Sequence, residues 1–304
     1  MDVSNADRVI YPEEGITKGE VVAYYETVAD LMLPFLIDRP LTLQRYPKGV
    51  AEKGFMQKNA AKHYPDSIGR YEVPKNEGGT TQYPVVNHAD DIPYLANQGT
   101  ITFHVWLSTT QRPWNPDYLV LDSDPPEDEA DLVRSVTSHA KAVLDTFGIE
   151  SIPVATGSKG FHVWVPLDGS ADFSETGPAA QALAGIIATQ LPDQATLEFL
   201  KKARKGRVFV DWLRNAPGAT VATPFSLRPR PNASLAMPMT WDELAETNPD
   251  HWTINNVAER LAKLPTWPKP SALPLEAITN AANDLGVDLE TRFDRFGRAA
   301  NPSG

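Results

Sequence analysis

The sequence predicts an α+β protein. Strand-like and helix-like segments follow one another without the regular alternation of a doubly wound sheet, and two acid-bearing strands are separated by a helix-containing excursion. At 304 residues the chain is long enough for a large core and for two joined modules. Its 41% hydrophobic and 22% charged residues are the composition of a soluble globular protein. There is no cysteine, which excludes disulfides and thiolate metal sites. The first residues, MDVSNADRVIYPEEG, carry no basic-then-apolar leader, and no run approaches the roughly 20 apolar residues of a membrane span. A cytoplasmic protein with no membrane partner is expected.

The elements follow in order. Thr17-x-x-Glu20 reads as a capping box, and Val21, Tyr24, Tyr25, Val28, Leu31 and Met32 repeat behind it at helical spacing up to Pro34. Leu41 to Tyr46 alternates as a strand. The polar segment Phe55 to Tyr64 has aromatics at both ends and suits a short helix or an exposed platform. Thr81 to Val86 and Ile101 to Val105 read as strands, with a short helix from Tyr94 to Asn97 between them. Tyr118 to Leu121 is a buried strand bounded by Trp-Asn-Pro and Pro-Pro, followed at once by Asp122 and Asp124. Acidic residues from Glu127 to Asp131 then precede an amphipathic helix, Leu132 to Phe147, which Gly148 ends. Strands Ile152 to Ala155 and Phe161 to Val165 flank the turn Thr156-Gly-Ser-Lys-Gly160. An alanine-rich helix runs from Pro178 to Gln190, and Val208 to Val210 delivers Asp211. An apparent strand, Ala222 to Leu227, leads to Arg228 and Arg230, and Thr240-x-x-Glu243 caps another helix. Short helices at Val257 to Leu264 and Leu275 to Leu285 and a frayed tail, RFGRAANPSG, complete the chain.

The chemistry concentrates in the acids. Residues two apart on a strand share a face, so Asp122 and Asp124 place two anions a few ångströms apart. Such a pair persists if one keeps a proton, if basic side chains neutralise it, or if a divalent cation binds; taken alone, Asp-x-Asp also suits a solvated turn. With Asp211 on a similar strand, the donor set is all oxygen, which suits Mg²⁺ or Mn²⁺ better than zinc. Two such ions about 4 Å apart clamp the attacking and leaving oxygens of a phosphoryl displacement. Ser158, Lys159 and Gly160 offer a hydroxyl, a cation and backbone N–H groups in a hairpin turn, and His162 follows on the second strand. The formal net charge of −11 argues against non-specific coating of nucleic acid, yet Arg39, Arg45, Lys48, Lys53, Lys58 and Lys62 are bunched, as are Lys201, Lys202, Arg204, Lys205 and Arg207.

Five ordered segments, YLANQGTITFHVWLS, YLVLDSDPP, ATGSKGFHVWVPL, GRVFVDWLRN and TPFSLRPRP, resemble the successive motifs of the polymerase domain of bacterial DNA ligase D, in the archaeo-eukaryotic primase superfamily. The resemblance runs from about Arg8 to Trp267. It implies a primase-polymerase fold of two joined mixed β-sheet modules with flanking helices, one an RRM-like catalytic module. The expected divisions are a catalytic domain over residues 1–270, with modules at about 1–100 and 101–265, and a C-terminal helix and tail over 271–304. It further implies that Asp122, Asp124 and Asp211 are catalytic and bind two Mn²⁺ or Mg²⁺ ions. His104, Ser158, Lys159, His162, Arg214, Ser226 and Arg228 would serve the incoming NTP or dNTP. Lys18, Arg45, Lys53, Phe55 and Lys58 would contact DNA.

The implied activity is template-dependent extension of primers and filling of short DNA gaps in repair by non-homologous end joining, with ribonucleotides preferred and an ATP-dependent DNA ligase as partner. With no ligase or nuclease motif in the 304 residues, the chain looks most like the free-standing primase-polymerases paired with ligase C in mycobacteria. It departs from the ligase D pattern at Gln44, where Lys is usual before Arg45, at Phe55-Met56, where two Phe stack on template, and at Arg214, where Gln is usual. The first departure removes a charge-assisted contact to a downstream 5′-phosphate. The same acids would also serve a phosphodiesterase with water as nucleophile, and a non-catalytic nucleic-acid-binding module would carry them without turnover.

Overall fold

A computed structural model describes residues 2–75, 78–126 and 129–289. Two short strands, β1 (Val9–Tyr11) and β2 (Ile16–Thr17), pair and lead into α1 (Lys18–Leu36). Thr17 and Glu20 form both halves of the expected capping box. The helix runs two residues past Pro34, because the proline falls in its last turn and Phe35 and Leu36 are buried beyond it. Next come β3 (Leu41–Arg45), β4 (Phe55–Gln57), β5 (Gly69–Pro74), β6 (Thr80–Val85), α2 (Asp91–Asn97) and β7 (Thr100–Val105). The polar segment after Phe55 thus begins as a strand, and its Phe55 and Met56 are each 48% exposed.

The chain continues through β8 (Tyr118–Asp124), α3 (Ala130–Thr146), β9 (Ile152–Ala155), β10 (Phe161–Pro166), α4 (Phe173–Gln190), β11 (Ala195–Thr196), α5 (Lys201–Arg204) and β12 (Val208–Asp211). Helix α4 starts five residues before Pro178, where Asp172 and Glu175 form a capping box of their own. After β13 (Val221–Ala222) and β14 (Met237–Pro238), Thr240 and Glu243 exchange capping bonds, but only a 3₁₀ turn, Asp242–Ala245, follows. Two short helices, α6 (Val257–Leu261) and α7 (Leu275–Asp284), complete the elements. The acidic pair Glu127 and Asp128 and the tail RFGRAANPSG lie outside the described residues.

These elements form two compact units, the first from Met1–Gln111, Thr220–Met237 and Asp250–Lys263, the second from Arg112–Ala219, Pro238–Pro249 and Leu264–Gly304. The first holds a four-stranded sheet in the order β13-β7-β3-β4 and the hairpin β5-β6. Strand β13 stops at Ala222, well short of Leu227, because Phe225 takes a left-handed φ of 67° that breaks the ladder. Three buried tyrosines hold that bend. Tyr24 donates to Phe225 O at 2.7 Å, Tyr25 accepts from Leu227 N at 2.9 Å, and Tyr11 donates to Arg228 O at 3.0 Å.

The second unit holds a six-stranded sheet, β11-β12-β8-β10-β9-β14, antiparallel wherever β8 and β10 take part. All six residues of β10 are buried, and α3 and α4 pack on each other and on β8. Strand β8 extends through both acids, three residues beyond Leu121, because β10 pairs with it as far as Ser123 and β12 as far as Asp124. The turn before β10 passes so close to β8 that a Cβ on Gly160 would overlap the carbonyl oxygen of Ser123. Gly160→Ala is therefore expected to lower the unfolding free energy by about 3 kcal/mol through overpacking at a strand pair that has no room to yield. Urea denaturation of the variant checks this, and an unchanged midpoint would refute it.

Candidate active site

Register places the acids. On β8, Asp122 is the Cα partner of Asp211 on β12 and of His162 on β10, and Asp124 lies opposite Phe209. Side chains directly opposite each other in a sheet share a face, so His162, Asp122 and Asp211 form one row across three strands, with Asp124 two residues along. Ser123 between the acids is buried on the other face, as strand alternation requires.

Each acid has a basic side chain as neighbour. His162 Nε2 lies 3.6 Å from Asp122 Oδ2, Arg204 Nη1 donates to Asp124 Oδ2 at 2.8 Å, and Arg214 Nε donates to Asp211 Oδ2 at 3.1 Å. Asp211 is the most buried of the three, its side chain 7% exposed. Burial pushes its pKa up to about 6, and the charges of Asp122 and Asp124 add to the rise, while Arg214 and the Leu213 N–H oppose it. Two of the three ways a carboxylate cluster persists are thus present together: basic neighbours and a tendency to keep a proton. Among the described residues, no group of three or more His, Cys, Asp or Glu side chains is arranged to hold a metal ion.

Beside the row, Thr156 closes the β9–β10 turn, its N–H and Oγ1 both donating to Gly160 O, while Ser158 N donates back to Thr156 Oγ1 at 3.2 Å. Gly157 N donates to Pro249 O at 2.8 Å. Ser158 and Lys159 are half-buried at the tip. His162 is 6% exposed, and its Nδ1 has no hydrogen-bond partner among the described residues.

The remaining expected residues lie in the first unit. His104 sits on β7 opposite Thr42 and Ala222. Ser226 is fully buried and its Oγ accepts from Phe103 N at 2.7 Å, so its hydroxyl serves the scaffold and presents no surface to a nucleotide. Arg228 follows it on the bend held by Tyr11. Lys18 is 7% exposed and its ammonium donates to Ser4 O and Oγ; burial first, then Arg8, lowers its pKa. Lys53 and Lys58 are exposed beside Phe55 on the edge strand β4. Arg45 donates to Gln57 Oε1 and Gln98 O, and its guanidinium lies 5.4 Å from the Phe55 ring centre.

Arg204 is the neighbour of the acids that the sequence hid within a basic bunch. It is 4% exposed, donates to Glu198 O and Phe199 O as well as to Asp124, and lies over the Phe209 ring at 4.6 Å. Lys201, Lys202 and Lys205 around it are exposed, Lys205 in a left-handed conformation with φ 52°, and no periodicity announces the difference.

The chain matches the family described as LigD, primase-polymerase domain, over residues 17–267. It belongs to that family. Among its relatives, the multifunctional non-homologous end joining protein LigD of Mycolicibacterium smegmatis is 33% identical over 262 residues, 85% of this chain and 34% of that protein. The bifunctional LigD of Bacillus subtilis is 30% identical over 286 residues, 91% of this chain and 46% of that protein. The chain thus spans between a third and a half of these relatives' length. The polymerase domain of Mycobacterium tuberculosis ligase D, solved in complex with DNA, superposes with a TM-score of 0.80 at 31% identity, over 86% of this chain and 94% of that one. The α+β primase-polymerase fold is therefore established. LigD polymerase domains are DNA nucleotidyltransferases, which places the chain in that enzyme class. The family generally uses divalent cations.

The raised Asp211 pKa has a defined sign. A carboxyl that holds its proton more tightly folded than unfolded costs nothing below its ordinary pKa near 3.8, and its penalty grows as pH rises to about 6. Without divalent cations, Asp211→Asn should therefore stabilise the protein at pH 7 relative to pH 4.5, by on the order of 2 kcal/mol. Chemical denaturation of both proteins across that range checks it; a difference independent of pH would refute it.

Proposed function

We propose that the chain is a template-dependent polymerase that extends primers and fills short DNA gaps in repair, using ribonucleotides in preference to deoxyribonucleotides. The observation that carries this reading is the Asp122, Asp124 and Asp211 row on paired strands, beside a hairpin whose turn carries Ser158 and Lys159. The family membership, and a structural neighbour solved in complex with DNA, support it.

The donor set fits two divalent cations, Mn²⁺ or Mg²⁺. All three groups are hard carboxylate oxygens, and Asp211 is held against its neighbours' charge in a way that an added cation relieves. Asp122, Asp124 and Asp211 would hold them, and when bound they supply the charge that polarises the α-phosphate and neutralises the departing pyrophosphate. The chain's own groups do the rest. Lys159 offers its ammonium and Ser158 its hydroxyl to the triphosphate at the hairpin tip, where the turn's backbone N–H groups lend further positive potential. His162, buried with its Nε2 3.6 Å from Asp122 Oδ2, would join them on the triphosphate. On the first unit, Phe55 offers a stacking face and Arg45, Lys53 and Lys58 supply phosphate contacts, a combination that suits single-stranded or gapped DNA.

A gapped duplex incubated with Mn²⁺ and either ATP or dATP tests the reading. Primer extension is expected with both and stronger with ATP, and Asp122→Ala or Asp211→Ala should abolish it. Extension by either variant near the wild-type rate would overturn the assignment, and hydrolysis of the duplex without nucleotide would point to a phosphodiesterase. Lys159→Ala is expected to raise the KM for nucleotide roughly tenfold or more, as loss of one charge-assisted contact does, with little change in DNA affinity. A variant that lost only DNA affinity would move Lys159 to the nucleic-acid surface.

A further inference from the structure

We propose that the cleft between α1, α2 and the loop at residues 65–67 binds an organic cation carried on an apolar stem, an alkylammonium or alkylguanidinium group. The cleft lies wholly within the first unit and encloses about 470 Å³. Its acids are Glu26 on α1 and Asp90 and Asp91 at the start of α2, and no lysine, arginine or histidine lines it. None of its lining residues is among those assigned above to divalent cations, nucleotide or DNA.

Asp91 is the residue that calls for a ligand. It is 3% exposed, its Oδ1 accepts the Ser67 hydroxyl at 2.6 Å, and its Oδ2 has no hydrogen-bond partner among the described residues. A carboxylate taken out of water with one oxygen unanswered is costly, and a cationic donor entering the cleft that Asp91 lines removes that cost. Glu26 and Asp90 are exposed and deepen the negative potential through which such a donor would approach.

The other walls decide what kind of cation fits. Ala29, Pro65 and Pro93 present apolar surface, and Tyr94 adds a half-buried ring. That ring is held in place, because the Tyr94 hydroxyl donates to His63 O at 3.4 Å and the ring meets Tyr64 edge-on at 5.9 Å between centres. A methylene stem packs against the prolines and the alanine while its charged head reaches the carboxylates, and a fixed tyrosine ring attracts an ammonium or guanidinium further. A hydrated metal ion gains nothing from such walls, and a neutral molecule leaves the acids unanswered.

Two probes present this chemistry: agmatine, which carries a guanidinium and an ammonium on a butyl stem, and the blocked peptide acetyl-Gly-Arg-Gly-amide. Isothermal titration of the full chain with each, at fixed ionic strength and without nucleotide or DNA, compares wild type with Asp91→Asn, Glu26→Gln and Asp122→Asn. Asp91→Asn, which keeps the shape and an acceptor for Ser67, should weaken binding roughly tenfold or more, as loss of a charge-assisted contact does. Glu26→Gln lies on the exposed face of α1, where folding is not at stake, and should weaken it by about threefold. Binding of agmatine alone supports the proposal and assigns the cleft to a free small cation. Binding of the peptide, with or without agmatine, supports it and assigns the cleft to a basic side chain of a partner protein. No binding of either probe, equal affinity in wild type, Asp91→Asn and Glu26→Gln, or a loss seen only in Asp122→Asn would overturn it.

Discussion

The antiparallel pairing of β8 with β10 on one side and β12 on the other is the constraint on which the rest of the second unit depends. Because Asp122 faces Asp211 in that register, two carboxylates meet across a strand pair, and Asp124 adds a third on the same face. Like charges at such spacing oppose folding unless something answers them. Arg204 and Arg214 do so, the first from the end of α5 and the second from the turn after β12, while His162 faces Asp122 from β10. The cluster is thus built by backbone register and kept by side chains. A charge pair taken partly out of water adds little net stability, since the desolvation it requires offsets most of the attraction, so the Arg204–Asp124 and Arg214–Asp211 pairs are better explained by what the carboxylates do than by what they hold together.

The same register explains why the hairpin belongs to the site. Gly160 lets the β9–β10 turn close against the backbone of β8, and His162, two residues on, is then opposite Asp122 without any choice of rotamer. Lys159 is placed at the tip by that closure. A cation whose backbone is held by a closed turn loses little backbone entropy on meeting a ligand.

Period-two logic made the acids readable from sequence, since an apolar strand followed by Asp-x-Asp fixes a shared face before any fold is known. The β9–β10 hairpin was equally readable, because Gly157 and Gly160 bracket its turn between two apolar runs. What stayed hidden was set by long-range pairing. Strand β5, whose residues alternate only between exposed and half-buried, has no apolar face of its own and exists through its ladder with β6. Arg204 could not be told from its basic neighbours, because what engages it is two carbonyls of the loop before it and the Phe209 ring. Ser226 and Lys18 show the converse: residue types suited to binding a phosphate are engaged within the scaffold, one by a strand N–H and the other by the N-terminal segment. Residue type and order identify a family, but exposure decides which members of a motif are left to act.

That distinction bears on how a chain of net charge −11 would hold DNA. Screening limits exposed charges to about 8–10 Å at physiological ionic strength, so the sum over the whole chain matters less than the charges within one such radius. On the first unit, β3 and β4 pair Arg45 directly with Phe55, so the cation and the ring are neighbours in register and in space, with Lys53 and Lys58 flanking the same short edge strand. Gln44, one residue before Arg45, donates to the Tyr46 hydroxyl at 3.2 Å and brings no charge to the patch. The arrangement joins one aromatic face to a few cations on the edge of a sheet, which favours an exposed base step with its phosphates over a continuous duplex.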